Sequence, residues 1–329
     1  MRIAIIGAGW IGCHLASKLK REHEVSLFDK DGIFSGSSMH NQNRLHLGFH
    51  YARNSQTRQL CKNTFEKFLL DYGSIVREVG RNVYAIPERE SLLDFITYMS
   101  IFDQDSYSYN LTEVPELKDV EGSILVPEKR IDPTAAKAMF ENCLRDVITI
   151  QEIKCGDIVD MRRCFDLVVN CTNNTLQPIV GDDFFEVALM LKYRKVKETS
   201  FDALTLVDGR FFSIFPSYCG CHTLSSVQHT PVATIAKPDQ VHDTVKHLDA
   251  TARIGKFESA VLANYPNFLE DFAYDGFVTS VKSKFRSESS NRNPVVKIDG
   301  NLVSCYTGKI QGVYMVEDFV RRSLCEIRK

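Results

Sequence analysis

Two histidines four residues apart, His46 and His50, stand in a polar stretch that also holds His40, Arg44, Tyr51 and Arg53. An imidazole titrates near neutrality, so one held against a substrate can take the proton of a hydroxyl or an amine as that group is oxidised. His46 and His50 are therefore candidate catalytic bases; the plain alternative is a pair of structural donors in a hydrogen-bonded loop. Arg44 and Arg53 carry planar forks that suit a carboxylate, a phosphate or a salt bridge. Tyr218, His222, His229 and Tyr306 flank turns in the second half and, with Tyr51 and Arg53, are candidates to line a substrate pocket. No third ligand has motif spacing with the histidines, so no metal site is expected. Cys219-Gly-Cys221 has one residue between its thiols, not the two of a redox motif, and no cation beside it in sequence; inert thiols are the expectation.

The element that would position such a loop is written at the start of the chain. Ile3 to Ile6 is a short apolar run that suits a strand buried on both faces of a parallel sheet. Gly7-Ala-Gly9-Trp-Ile-Gly12 follows at once, and Leu15 and Leu19 are spaced for one buried face of a helix from about Ile11 to Arg21. Glu24 to Phe28 reads as a second strand ending on Asp29, 22 residues after Gly7. Strand, glycine turn, helix, strand and acid together are the context a dinucleotide fingerprint needs. Gly7 permits the tight turn, Gly9 lets the backbone approach a pyrophosphate, and Gly12 permits close packing of helix on strand. The helix N-terminus offers free N–H groups and partial positive charge to phosphates, and the Asp29 carboxylate can accept from ribose hydroxyls.

A simple nicotinamide enzyme would continue with a helix and another parallel strand. Here Gly32 to Tyr51 is instead a long polar loop, with three of the nine histidines. Such a loop can lie along an extended cofactor, with Ser37 and Ser38 near phosphates.

With Gly36-Ser37-Ser38, Arg44 and Tyr51 following the glycine turn and the acid, the sequence resembles the D-amino acid oxidase and sarcosine oxidase superfamily of FAD-dependent oxidoreductases, related to the glutathione reductase fold. Three later segments are similar to the same family. Arg130-Ile-Asp-Pro133 opens a helix, for which Asp132 can be the N-cap and Pro133 the first residue. Phe165 to Asn174 looks like the strand that ends beside the cofactor, with Cys171-Thr172 where Ala-Gly is usual. Leu302 to Gly312 is a glycine-containing turn before a helix from about Val313 to Glu326.

The resemblance implies an α/β fold: a Rossmann-like FAD-binding domain with an inserted α+β substrate domain. It implies FAD bound by Gly7, Ala8, Gly9, Trp10, Ile11, Gly12, Asp29, Lys30, Ser37, Ser38, Asn43, Arg44, Leu45, Cys171, Thr172, Gly308, Lys309 and Ile310. Lys309, or the helix that follows it, would offset negative charge at the flavin pyrimidine edge, and a histidine could tether the flavin covalently. The implied activity is oxidation of a CH–NH or CH–OH bond of a small polar substrate such as an amino acid, hydroxy acid or sugar derivative. Leu45 to Tyr51 also has a loose likeness to UDP-galactopyranose mutase, a flavin-dependent sugar-nucleotide mutase. That reading, an NAD-dependent dehydrogenase and a non-catalytic flavin-binding module remain the alternatives.

Between the matched segments the pattern changes. Asn82 to Ile86 reads as a strand and Glu88 to Met99 as a helix. Leu189–Arg194, Ala203–Val207 and Phe211–Phe215 read as strands, the last two joined through Asp208-Gly209. Helices are expected at Asp239–Phe257 and about Ser259–Leu269, and a mobile loop at Arg286–Pro294. The cofactor domain then comprises 1–80, 127–182 and 296–329, and the substrate domain 81–126 and 183–295, so a cut near the midpoint should destroy both.

Composition sets the frame for this. The 329 residues carry 40 Lys+Arg and 42 Asp+Glu with 44% apolar residues, so an ordinary globular protein is indicated and disorder is not. A net charge of −2 lacks the basic excess that nucleic-acid binding requires. No apolar run suggests a membrane span, the N-terminus reads as a strand, and the ten scattered cysteines suit reduced thiols in the cytoplasm. A small-molecule substrate is the expected partner.

Overall fold

The computed structural model describes residues 1–179, 181, 183–285 and 292–327. Its first sheet has six strands, ordered Val295–Asp299, Leu302–Tyr306, Leu167–Asn170, Arg2–Ile6, Glu24–Asp29 and Ile148–Ile150. All neighbours are parallel except the edge hairpin Val295–Asp299 with Leu302–Tyr306. The sheet thus draws strands from the beginning, middle and end of the chain.

Side chains of its central strand alternate between two cores, as the two-residue period requires. Ile3 and Ile5 pack with Trp10 and Leu15 of the helix Trp10–Leu19, Phe65, Phe68 and Tyr72 of Ser55–Tyr72, Phe140 of Pro133–Leu144 and Val316 and Val320 of Val313–Ile327. Ala4 and Ile6 face the other way, onto Ile158 and Met161 of the helix Ile158–Cys164. Asp132 caps Pro133–Leu144 as the sequence suggests, accepting from the Thr134 and Ala135 N–H groups at 3.1 and 3.0 Å.

The second sheet has nine strands and is largely antiparallel. Its longest pair is Asp183–Lys195 with Phe272–Phe285; the other edge of Asp183–Lys195 is shared by Pro231–Ile235 and His222–Ser226. From there the order runs through Phe212–Pro216, Ala203–Leu206, Asn82–Pro87, Val120–Leu125 and Asn110–Thr112. Ala203–Leu206 and Phe212–Pro216 are antiparallel neighbours across Asp208-Gly209. One face is covered by Phe257 and Val261 of the helix Ile254–Leu262, with Tyr265 and Phe268. A third, three-stranded sheet joins Arg44–Leu45 and Val76–Arg77 on either side of Lys129–Ile131.

Several local expectations change. The helix expected over Glu88–Met99 instead runs Phe95–Gln104, because Asp94 is its N-cap and accepts from the Thr97 N–H at 2.7 Å. The long helix expected at Asp239–Phe257 breaks into Val241–Lys246 and Ile254–Leu262, with Asp249 accepting from the Ala252 N–H between them. The stretch expected at Ser259–Leu269 ends with Ile254–Leu262 and is followed by a short turn of helix, Phe268–Asp271. Residues 286–291 of the expected mobile loop lie outside the described residues. Among the described residues no helix is long and apolar enough to cross a membrane, and all ten cysteines are free thiols.

Candidate active site

The cofactor end begins at the glycine turn, and each glycine is fixed by what a β-carbon would meet. Gly7 has φ +99, and a Cβ there would stand 2.7 Å from the Cys171 carbonyl oxygen. At Gly12 it would lie 1.8 Å from the Gly7 carbonyl oxygen, and at Gly9 2.9 Å from Ser38 Oγ. The helix Trp10–Leu19 starts at Gly9 without a side-chain cap of its own; the Trp10 N–H donates to Ser38 Oγ at 3.1 Å. One Asp29 oxygen accepts from the Ala8 N–H at 2.7 Å, and the other from Asp31 and Gly32 at 2.9 and 3.0 Å. An ionised carboxylate has about four acceptor positions, so this half-buried group keeps capacity for a ribose hydroxyl. A helix N-terminus with no side chain on its N-cap residue, a cradle open only to glycine and this acid together fit a dinucleotide.

The remaining proposed cofactor residues divide. Ala8, Trp10, Ile11 and Leu45 are buried beside the turn or beneath the loop, and Cys171 lies under Gly7. The Thr172 hydroxyl donates to Asn170 Oδ1 at 2.8 Å. The Ser37 hydroxyl is tied to the Val281 backbone of the second sheet, donating at 2.7 Å and accepting at 3.2 Å. Lys30 is exposed beside Asp31, and Gly308 is exposed against Arg292.

The loop from Asn43 to Tyr51 brings His46, His50, Tyr51, Arg44 and Lys309 together around a buried carboxylate that sequence reasoning missed. Glu128 Oε1 accepts from the Leu47 and Gly48 N–H groups at 2.8 and 3.0 Å, and Oε2 accepts from the Tyr84 hydroxyl at 2.7 Å. His46 Nδ1 stands 3.3 Å from Oε2, off hydrogen-bond alignment but within ion-pair range. Burial pushes the Glu128 carboxyl up, but His46 and the Gly48 and Tyr84 donors outweigh it and hold it at about 2. Burial, with Lys309 nearby, lowers His46 to about 4; burial and His46 take His50 well below its ordinary value. At neutral pH the carboxylate is therefore ionised and both imidazoles are neutral.

The rings form one cluster: His46 and His50 are 6.0 Å apart, and each faces Tyr51, at 5.6 and 5.2 Å between centroids. Lys309 Nζ lies 4.4 Å from the Tyr51 ring centroid. Burial, then Arg44, brings the Lys309 ammonium down to about 7. Gln311, also missed, donates to the His46 and Cys61 carbonyl oxygens at 2.9 and 3.0 Å and so fixes the loop to the helix Ser55–Tyr72. Arg44 crosses into the second sheet, where it donates to Thr205 Oγ1 at 2.9 Å and to Ser213, with its guanidinium 4.0 Å above Phe215. Asn43 Oδ1, Arg44 Nε and His50 Nδ1 are buried without a hydrogen-bond partner. Such unmet polar atoms are the places where a bound molecule finds its contacts.

Three proposed substrate residues make other contacts. Arg53 pairs with Asp208, the Tyr306 hydroxyl donates to Asp183 at 3.1 Å, and Tyr218 is exposed at a hairpin tip. Among the described residues no group of three or more His, Cys, Asp or Glu is placed to hold a metal ion.

A glycine-cradled helix N-terminus on a parallel sheet, with an acid ending the second strand and a large antiparallel sheet beside it, is the arrangement of a dinucleotide-binding protein. A family model described as FAD dependent oxidoreductase matches residues 2–296, and the chain belongs to that family; it is an FAD-dependent enzyme. It is 34% identical over 331 residues to the FAD-dependent monooxygenase FPY4 of Fusarium mangiferae, covering 96% of this chain and 89% of the relative. The fold is similar to dithionite-reduced L-α-glycerophosphate oxidase of Mycoplasma pneumoniae with FAD bound (TM-score 0.72, 12% identity, 98% of this chain and 94% of the other). It is also similar to glycine oxidase of Geobacillus kaustophilus (TM-score 0.69, 13% identity, 97% and 94%).

Proposed function

We propose that this enzyme oxidises a CH–NH or CH–OH bond of a small polar substrate, with His46 or His50 taking the proton of the amine or hydroxyl. The observation that carries the reading is His46 beside the buried Glu128 carboxylate, packed with His50 and Tyr51 of the same loop, with Lys309 from the C-terminal turn over the Tyr51 ring. Bound FAD supplies the two-electron acceptor. The glycine turn, Asp29 and Ser38 would hold its adenosine and pyrophosphate; Asn43, Arg44 and the turn at Lys309 would lie toward its other end.

The chain's own part is to manage protons and charge. An ionised Glu128 beside Nδ1 favours the His46 tautomer protonated there, which leaves Nε2 as the basic lone pair. His50, kept neutral by burial, is a second base within the same cluster. Lys309 in its cationic form and the N-terminus of Val313–Ile327 offset negative charge that develops as a hydride leaves the substrate. Tyr51 supports Lys309 from beneath its ammonium.

The monooxygenase name of the Fusarium relative favours a second reading, in which molecular oxygen supplies an atom to the product. Anaerobic mixing with a panel of amino acids, hydroxy acids and sugar derivatives separates the two. Substrate alone should bleach the flavin absorbance. If the panel is silent, and bleaching requires a nicotinamide donor before an oxygen atom enters the product, oxidation by direct hydride loss is wrong.

A further inference from the structure

Cys219 and Cys221, expected from the sequence to be inert thiols, are brought together by the turn that carries them. The strands Phe212–Pro216 and His222–Ser226 are joined through a turn closed by the Ser217 N–H on the Cys221 carbonyl oxygen at 2.7 Å. Gly220, at φ +79, has open space where a Cβ would stand. The turn brings the two sulfurs to 2.6 Å. A disulfide bond is about 2.05 Å long, so closing the pair requires little movement.

The two thiols differ in the way an exchange pair needs. Cys219 is exposed, while Cys221 is 3% exposed. Desolvation raises the Cys219 thiol, but its hydrogen bonds with the Cys221 side chain and backbone and with Ser217, to which the thiol donates at 3.6 Å, together with Lys192 on the adjoining strand, outweigh it and lower it. Cys221 is pushed up to about 12 by burial and by the Cys219 sulfur. Cys219 is the accessible nucleophile and Cys221 the thiol that resolves. Cys171 and Cys305, whose sulfurs are 3.7 Å apart, are both buried in the first core and offer an internal control.

We propose that Cys219 and Cys221 form a reversible disulfide by exchange with low-molecular-weight disulfides of the glutathione type. The Cys219 thiolate attacks one sulfur of the oxidised reagent, forming a mixed disulfide and releasing one thiolate. The Cys221 sulfur then attacks Cys219, its proton passing to the second thiolate as it leaves. The protein loses two electrons and two protons, and one reagent disulfide becomes two thiols. The site lies on the hairpin whose strands carry Ser213 and Phe215 against Arg44 and Thr223 against Gln42, so the crosslink forms on an element that supports the histidine loop.

The test uses reduced, full-length holoenzyme incubated with oxidised glutathione, quenched with N-ethylmaleimide and mapped by mass spectrometry. The expected result is loss of two hydrogens in the peptide holding Cys219 and Cys221, restored by dithiothreitol. Cys221→Ser should trap glutathione on Cys219 at about tenfold the wild-type level, and Cys219→Ser should abolish both products. Retained flavin absorbance shows that each variant is folded. A stable glutathione adduct on wild-type Cys219, no change in its mass, or a disulfide mapped to other cysteines would overturn the proposal.

Discussion

Replacing Glu128 by Gln removes one charge and leaves the shape, so its effect can be worked from the contacts. The carboxylate accepts two backbone N–H bonds and one from the Tyr84 hydroxyl, and faces His46 Nδ1. The amide oxygen of Gln can keep the Leu47 and Gly48 bonds as neutral ones, losing about 1 kcal/mol in each; its NH2 turns a donor toward Tyr84 and His46, which costs roughly another 1 kcal/mol. The depressed carboxyl, at about 2 against an ordinary 4.5, has the same sign. The lost contacts sum to about 3 kcal/mol, or a melting temperature roughly 6 °C lower at pH 7.

The sign with pH follows. A depressed carboxyl contributes stability above about 4.5 that is lost as pH falls toward 2, so the gap between wild type and Glu128→Gln should close in that window. His46 acts in the same direction over a higher range. Its folded value of about 4 lies below the ordinary 6.5, so the unfolded chain binds the proton first and stability falls from 6.5 toward 4. Thermal melts of holoenzyme from pH 3 to pH 8 read both. A gap under about 1 °C at pH 7, or one unchanged at pH 3, would refute the placing of an ionised Glu128.

Gly12→Ala forces a Cβ against the Gly7 carbonyl oxygen, 1.8 Å away, and should yield protein with less than about a tenth of the wild-type flavin, read from the visible spectrum. His46→Asn and His50→Asn should keep flavin, and at least one should slow anaerobic flavin reduction by substrate about 10²–10⁴-fold; two variants of wild-type rate would remove the imidazoles from the chemistry. Lys309 is cationic below about pH 7 and neutral above, so the reduction rate should fall as pH rises through 7 and the profile should flatten in Lys309→Met. Because His46 is already deprotonated above about 4, no compensating rise is expected over the same range.

What was legible in the sequence is what neighbouring residues dictate to one another. The glycine turn constrains consecutive positions, and the positive φ of Gly7, the burial of Ala8 and the close contact of Gly12 with the Gly7 carbonyl are of that local kind. Asp132 and Pro133 announced their helix for the same reason. The helix Ser55–Tyr72 had readable signals that a polar composition obscured: Asn54 accepts from the Thr57 N–H at 2.8 Å, and Leu60, Thr64, Phe68 and Tyr72 recur on one face. Glu128 had no such signal. It follows Pro127 and precedes Lys129, as a surface glutamate would, and is buried where the pairing of Lys129–Ile131 with Arg44–Leu45 brings it beneath the Leu47 and Gly48 N–H groups and against Tyr84. Arg44 was legible as a fork, but its partners Thr205 and Ser213 lie 161 and 169 residues away.

That distance has a consequence for how the site is assembled. Leu167 pairs with Ile3 and Leu302 with Val168, so the first sheet closes only after most of the chain is available. The second sheet sets Asn82–Pro87 between Ala203–Leu206 and Val120–Leu125, so it too needs both halves. The loop carrying His46 and His50 depends on both sheets: its backbone is held by Glu128 and Gln311, and the Arg44 side chain is held by Ser213 and Phe215. Loop-closure entropy must be met before any of these contacts forms, so the histidine cluster is expected to be among the last features to order. A chain cut between the two halves would therefore lose the site as well as both sheets, since no fragment contains Arg44 together with Ser213, or His46 together with Gln311.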